Sequence, residues 1–210
     1  MYARVIDGVI TEIVGRPNWY LDSGEPVDDT WLLENENLRV LLEGDLPTVN
    51  DETQYIEQNE YSQWVINDTT VTKTYTIINI PFEETKEVYL RKPHDIRKLY
   101  EEGGINFTDT NTTILRIQTD RASQAKISAS YMAAKDGIRT ENSLWKTMDG
   151  FVAISNVDMI SLGQAVLNHV QLCFNNENVL YNEVNGCTTY TQLQEIDFSA
   201  GWPSNSIQGQ

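Results

Sequence analysis

The chain has few of the side chains that most often perform catalysis or bind metals. Its 210 residues include only two histidines and two cysteines. His94 and His169 are not part of an H-E-x-x-H motif, and neither has a C-x-x-C pair or a carboxylate cluster at ligand spacing beside it. We therefore expect structural or surface roles for both histidines, and no metal or cofactor.

The two cysteines are predicted to be free structural thiols. If Cys173 and Cys187 lie near the two ends of one helix, their separation of 14 positions corresponds to about 21 Å at 1.5 Å per residue. A disulfide bond cannot span that distance. The chain also lacks a G-x-S-x-G nucleophile elbow and a glycine-rich phosphate loop, so no enzymatic chemistry is predicted.

Positive charge is scarce as well. The chain has 15 Lys and Arg against 31 Asp and Glu, which gives a formal net charge of −16. Binding to nucleic acid or to anionic lipid requires a basic face, and the few cations are scattered along the sequence. We therefore expect no nucleic-acid partner.

Long hydrophobic runs are missing. No window approaches eighteen apolar residues, the length of a membrane-spanning helix. The N-terminal stretch MYARVIDGVITEIVGRP carries charges at Arg4, Asp7 and Glu12 and does not resemble a signal peptide. These features predict synthesis in a cytoplasm and no membrane insertion.

A β-rich module is predicted over residues 1–80. The segment YARVIDGVITEIV has short β-branched runs on either side of Asp7-Gly8, which is typical of a tight hairpin turn. Residues 30–43 are compatible with a helix or with a further strand pair. Alternation from residue 61 to residue 80, around the turn NDTT, predicts a second hairpin.

Residues 81–104 form a predicted helical connector. This stretch is charged and favours helix, but Pro93 is expected to break or kink it after Lys92, with two short helices as one form of the connector. Gly103-Gly104 is expected to end the second one.

An α+β module is predicted over residues 105–203, followed by a flexible tail over residues 204–210. The module begins with one hairpin and a helix capped by Thr119 or Asp120. A second hairpin turns at Asp149-Gly150 through positive φ angles. Ser155 and Asp158 form a capping box that begins a helix of about thirty residues, whose segment FNNENV would permit a break, and a short helix follows.

The second half of the chain resembles a domain of unknown function found in tailed bacteriophages and prophages, where it commonly forms the C-terminal part of tail-fibre-associated proteins. The resemblance runs from Gly103 to Pro203 and rests on four segments in order: RIQTDRASQAKI, LWKTMDGFVAIS, VDMISLGQAVLNHVQLCF and LQEIDFSAGWP. The loop DGIRTENS departs from the compact loop of the family. The matching positions are Phe107, Gln118, Thr119, Asp120, Trp145, Thr147, Asp149, Gly150, Met159, His169, Val170, Gln171, Phe174, Trp202 and Pro203.

The resemblance implies a role in the virion or in its assembly, and it carries no known catalytic residues. We expect a non-enzymatic structural component of a phage tail, at the baseplate or the fibre, which docks to other tail proteins or contacts the host. Host surface glycan is one such contact. Because tail parts are symmetric assemblies, a homo-oligomer is expected, and a trimer packed on the long helix is one form of it.

The apolar stripe of the long helix supplies the candidate interface between copies, although burial within one chain is the alternative for the same side chains. Trp202, near the chain end, is the candidate for a surface contact. Two other functions stay open: a tail-fibre assembly chaperone that does not remain in the virion, and a sugar-cleaving tail enzyme using one of the adjacent carboxylate pairs. The stripe residues proposed for the interface are Ile160, Val166, Val170 and Phe174.

Overall fold

The computed structural model describes residues 1–205 and confirms the predicted α+β class. The chain divides between Pro81 and Phe82 into two compact units, each with its own core. Residues 206–210, which make up most of the predicted flexible tail, lie outside the described residues. No helix in the described part of the chain is both long enough and apolar enough to cross a membrane.

The first unit is built on a five-stranded sheet in the order β2-β1-β3-β6-β5 and a separate two-stranded sheet of β4 and β7. The predicted first hairpin is confirmed: Asp7 and Gly8 have φ angles of 51° and 77°, so the two strands meet across a tight turn. The elements are β1 (Tyr2–Ile6), β2 (Val9–Val14), α1 (Asp29–Glu36), β3 (Leu38–Leu42), β4 (Gln54–Gln58), β5 (Val65–Ile66), β6 (Thr70–Thr72) and β7 (Tyr75–Asn79).

Two predictions in this unit need correction. Residues 30–43 are neither one helix nor a strand pair. Helix α1 ends at Glu36, its C-cap residue Asn37 adopts the left-handed conformation, and β3 begins at the next residue. The predicted second hairpin is also divided. Strands β5 and β6 form its short first part, but β7 leaves this sheet and pairs with β4. Alternation marks β7 correctly as a strand and says nothing about its partner.

The core of the first unit lies on both faces of the larger sheet. Alternate side chains of β1 point in opposite directions. Ala3 and Val5 therefore contact Trp64 on one face. Tyr2 contacts Leu32 of α1 on the other face. This alternation explains why β1 is buried on nearly all of its length.

Between Phe82 and Asn205, the second unit contains four helices and two hairpins. The hairpins are those predicted from the sequence, with pairing of β8 to β9 and of β10 to β11. In the second hairpin only Gly150 has a positive φ, of 132°, so the predicted two-residue positive-φ turn is wrong at Asp149. The elements are α2 (Phe82–Glu102), β8 (Ile105–Thr108), β9 (Ile114–Ile117), α3 (Arg121–Lys135), β10 (Ser143–Thr147), β11 (Gly150–Ile154), α4 (Asn156–Gly186) and α5 (Tyr190–Gln194).

The predicted break at Pro93 does not occur. Helix α2 is continuous for 21 residues and belongs to the second unit, where it packs along α4. Proline inside a helix costs about 3 kcal/mol because it removes one hydrogen bond and crowds the preceding turn. Here Tyr89, Pro93 and Arg97 lie on successive turns of one buried face, and the burial of that face offsets the cost.

Caps determine where α3 and α4 begin. Asp120 accepts hydrogen bonds from the N–H groups of Ala122 and Ser123, at 3.0 and 3.1 Å. Ser155 Oγ accepts from the N–H of Asp158 at 3.0 Å, as the capping box predicts. Helix α4 then runs for 31 residues without the break that FNNENV would permit.

Two apolar clusters stabilise the second unit. One joins both hairpins to α3 and to the first half of α4, around Ile117, Ile127 and Met159. The other joins α2 and α5 to the second half of α4, around Tyr89 and Val184. Helix α4 contributes to both clusters and is therefore the element that holds the unit together.

Candidate functional site

A groove runs along the second unit where α2 and α3 both pack on α4. Helices α3 and α4 come close together at Gly163. A Cβ atom at this position would lie 2.6 to 2.8 Å from side-chain atoms of Tyr131. The small residues predicted along α3, including Ala125, add to this close approach and leave a recess beside the contact.

One end of the groove is apolar. A cavity of about 290 Å³ lies between α3 and α4. Leu167 lies at the edge of this cavity and is 58% exposed, although it belongs to α4, the helix that contributes to both apolar clusters. This end is also lined by Ala125, Ile127, Ser128, Tyr131, Gly163, Val166 and Val170.

The other end of the groove is charged. A cavity of about 550 Å³ lies against α2, α3 and α4 and is lined by His94, Lys98, Glu102 and Phe174. Arg121 and Gln124 line both cavities. The apolar and charged cavities are therefore adjacent, and the two together are called the groove.

Arg97 forms the floor of the charged end. Its side chain is only 9% exposed and pairs with Glu101 one turn later on α2. Its Nε atom lies 2.7 Å from Oε2 of Glu177 on α4, but the N–H does not point at that oxygen, so the contact is a charge pair without a hydrogen bond. The guanidinium carbon lies 4.3 Å from the ring centre of Phe174. A buried cation held between two carboxylates makes this floor rigid.

Two cations at the rim are not paired. Arg121, the first residue of α3, and Lys98 of α2 are exposed, and neither forms an ion pair with any residue between 1 and 205. The same end has one exposed carboxylate, Glu102, so Lys98 and Arg121 outnumber it and leave the rim able to receive a carboxylate or another anion.

The two histidines have the structural and surface positions that were predicted. His169 is buried, and its Nε2 lies 3.0 Å from the carbonyl oxygen of Tyr100. Because a carbonyl only accepts, Nε2 carries the proton. Burial lowers the pKa of His169, and the bond to Tyr100 opposes this only in part. His94 is exposed, with Nδ1 3.3 Å from Glu177 Oε1.

The cysteines are free, as predicted from their spacing. Burial raises the pKa of Cys173 to about 11, so the thiol stays protonated and unreactive near neutral pH. Within residues 1–205, no group of three or more His, Cys, Asp and Glu side chains could hold a metal ion.

The four predicted interface residues lie in three different environments. Val166 is only 3% exposed and belongs to the core of its own chain. Ile160 and Val170 are half-buried against the same core, although Val170 also lines the groove. Phe174 is 46% exposed at the charged end. Val166 also lines the groove, but it has almost no exposed surface, so Val170 and Phe174 are the two residues that a partner could contact.

Trp202, the candidate for a surface contact, is half-buried. Its ring stacks on that of Tyr100, with the ring centres 5.2 Å apart, and its Nε1 donates a hydrogen bond to the Phe198 carbonyl at 2.8 Å. These contacts attach the chain segment after α5 to α2. They describe a structural role for this tryptophan within the second unit.

Sequence reasoning missed Arg97, Tyr131 and Gly163, which shape the groove. For Arg97 a signal existed: residues 85, 89, 93 and 97 recur every four positions, so they share one face of α2. For Tyr131 and Gly163 no local signal existed, because their contact joins two helices that are distant in the sequence.

Comparison with known proteins gives a family and no function. No match to this chain is found among curated proteins or among solved structures. Residues 86–200 match the model of a family described as a domain of unknown function, DUF4376. This match covers more than half of the 210 residues and includes most of α2, α3, α4 and the groove between them. The chain therefore belongs to the DUF4376 family.

Proposed function

We propose that this protein is a non-enzymatic structural component of a bacteriophage tail, at the baseplate or the fibre. It acts as a connector that docks to other tail proteins, or to further copies of itself, and it resides in the virion. Host surface glycan is a further candidate contact. The mechanism is rigid docking, in which a preformed surface meets its partner without chemical change.

The observation that carries docking is the groove of the second unit. It combines an apolar recess with exposed Leu167, an unpaired cationic rim at Lys98 and Arg121, and a floor held by buried Arg97. Apolar surface beside unpaired charge is characteristic of protein interaction sites. The scaffold is helical and well packed, so binding requires little ordering of the site.

The support for a phage tail is the ordered series of motifs between Gly103 and Pro203, which resembles the C-terminal domain of tail-fibre-associated proteins. The DUF4376 match lies over nearly the same residues. The proposal therefore places the tail-associated part of the protein in the second unit, where the groove lies.

Quantitative mass spectrometry of gradient-purified phage particles tests this proposal. We expect peptides of this chain at a fixed stoichiometry, in multiples that match the symmetry of a tail ring or fibre. Absence from particles together with abundance in the infected-cell lysate would overturn the virion location. That result would favour the alternative, a tail-fibre assembly chaperone that leaves before the particle is complete.

A further inference from the structure

We propose that the groove of the second unit binds residues 45–49 of a second copy of this chain. This segment, DLPTV, is called loop 45–49 below and lies in the first unit, between β3 and β4. The inference rests on the proposed function, in which tail proteins assemble as several copies. It adds the two surfaces that meet and the residues that pair.

Loop 45–49 is exposed and has few contacts of its own. Leu46 is 65% exposed, and Asp45 beside it is exposed and forms no ion pair with any described residue. Within residues 1–205, the N–H groups of Asp45, Leu46 and Thr48 donate no hydrogen bond. Pro47 restricts the backbone, which lowers the entropy lost when the loop is bound. A segment with an exposed leucine and free backbone donors is suited to docking.

The groove complements this loop in both charge and polarity. The cationic rim of Lys98 and Arg121 can pair with the carboxylate of Asp45. The apolar end, with its cavity of about 290 Å³, can receive the side chain of Leu46. Arg121 lines both cavities. With Asp45 and Leu46 placed over it, the side chain of Asp45 can reach the charged end and that of Leu46 the apolar end.

Charge favours a second copy as the occupant. The rim of the groove holds two unpaired cations, Lys98 and Arg121, and one exposed carboxylate, Glu102, so an acidic segment can pair with the cations. The chain presents such a segment at Asp45, beside an exposed apolar side chain. Because the loop and the groove are different surfaces of the chain, the contact between copies is heterologous, the kind of contact that builds rings or filaments.

The first test measures self-association of the full chain by sedimentation across a concentration series. Arg121→Glu and Asp45→Arg should each weaken association by at least about tenfold, because each brings like charges together. The double variant should recover association, since it restores the pair with the signs exchanged. Neither change should impair folding. A glutamate suits the first turn of α3, and the Asp45 side chain forms no hydrogen bond or ion pair with any residue between 1 and 205.

A matched control is Arg91→Glu. Arg91 is exposed on α2, forms no ion pair with a described residue and does not line the groove. This variant changes the net charge by the same amount as Arg121→Glu, so it should leave self-association unchanged. An equal loss of association in both variants would mean that only net charge matters, and it would overturn the proposed contact.

The second test locates the contact by cross-linking. Copies carrying Leu46→Cys are mixed with copies carrying Ser128→Cys and treated with a short bis-maleimide. We expect a covalent dimer containing one copy of each variant. The buried thiols of Cys173 and Cys187 should not react. Replacing the first partner with Thr11→Cys, an exposed site on β2, should give no such product.

The outcomes separate this inference from the tail proposal. A chain that stays monomeric at every concentration overturns docking between copies and leaves a virion role intact. Absence from particles overturns the tail proposal while self-association through the groove still stands. If the purified chain is monomeric and Arg121→Glu prevents its incorporation into particles, the groove binds another tail protein, and docking of loop 45–49 is overturned.

Discussion

Gly163 is the residue at which α3 and α4 come into closest contact. In Gly163→Ala the new Cβ would lie 2.6 to 2.8 Å from atoms of Tyr131 that include its own Cβ, so rotation of the ring cannot relieve the overlap. We expect the free energy of unfolding to fall by about 1 to 3 kcal/mol, as for other overpacked cores. Chemical denaturation of the full chain measures this change.

Gly186 provides the control for that substitution. It is the last residue of α4, and a Cβ there would meet no atom within 4 Å. Because alanine favours helix over glycine by up to about 1 kcal/mol, Gly186→Ala should be neutral or slightly stabilising. If both variants lost the same stability, the contact with Tyr131 would not explain the requirement for glycine at position 163.

His169 makes the stability of the second unit depend on pH. Burial lowers the pKa of this side chain in the folded state, so the unfolded chain takes up the proton first as the pH falls. The stabilising contribution of the neutral form is therefore present above the unfolded pKa of about 6.5 and is lost as the pH falls toward the folded pKa.

The expected result is a shallower pH dependence in His169→Gln than in the natural chain. Glutamine retains an N–H donor for the Tyr100 carbonyl and cannot gain a proton. Unfolding free energies measured between about pH 7 and about pH 5 compare the two slopes. Equal slopes in this window would show that His169 does not titrate differently in the folded and unfolded states.

At the scale of elements, Arg97 connects α2 to α4 through Glu177 and stabilises α2 through Glu101. Arg97→Leu should reduce the free energy of unfolding by on the order of 3 kcal/mol, because two largely buried carboxylates lose their cation. The variant Arg97→Leu/Glu101→Leu/Glu177→Gln should regain much of that loss. Thermal and chemical denaturation measure both. If Arg97→Leu lost no stability, solvent would already compensate the charges of Glu101 and Glu177.

The helices illustrate which elements can be predicted. The starts of α3 and α4 were predicted, with Thr119 or Asp120 as the cap of α3 and Ser155 as the cap of α4. The structure selects Asp120, and both caps act on N–H groups within three residues. The break in α2 at Pro93 was predicted wrongly. The local cost of proline is real, but it is outweighed by packing against a helix more than sixty residues later in the chain.

For the whole molecule, aromatic contacts near the two ends of the second unit predict which residues a separately expressed piece must include to be stable. Phe82 packs edge-on against Tyr190, with the ring centres 5.4 Å apart, and Trp202 stacks on Tyr100. Phe82 and Trp202 lie outside the matched range 86–200, and both pack against the apolar cluster that joins α2, α4 and α5.

We therefore expect residues 82–210 to fold alone and residues 86–200 to be less stable. The loss should be about 2 kcal/mol or more, since the shorter piece removes two largely apolar rings from a packed cluster. Circular dichroism during thermal unfolding compares the two pieces. Equal midpoints would show that Phe82 and Trp202 do not contribute to this core.

The candidate site was accessible from the sequence only in part. The apolar stripe of α4 was recognised, and three of its four proposed interface residues, Val166, Val170 and Phe174, line the groove. The periodicity of one helix shows that its faces differ, but it cannot show which neighbouring helix covers each residue. Val166 is covered by the core and Phe174 is not, and this difference depends on how α2 and α3 pack.

The sequence by itself determined the α+β class, three hairpins, the starts of α3 and α4 and the free state of both cysteines. These features depend on interactions within a few residues, such as turns, caps and side-chain alternation. Only the tertiary structure decided that β7 pairs with β4, that α2 continues through Pro93, and that Lys98, Arg121 and Phe174 meet in one groove. Each of these outcomes depends on many contacts between distant parts of the chain, and the combined free energy of those contacts exceeds the local conformational preference.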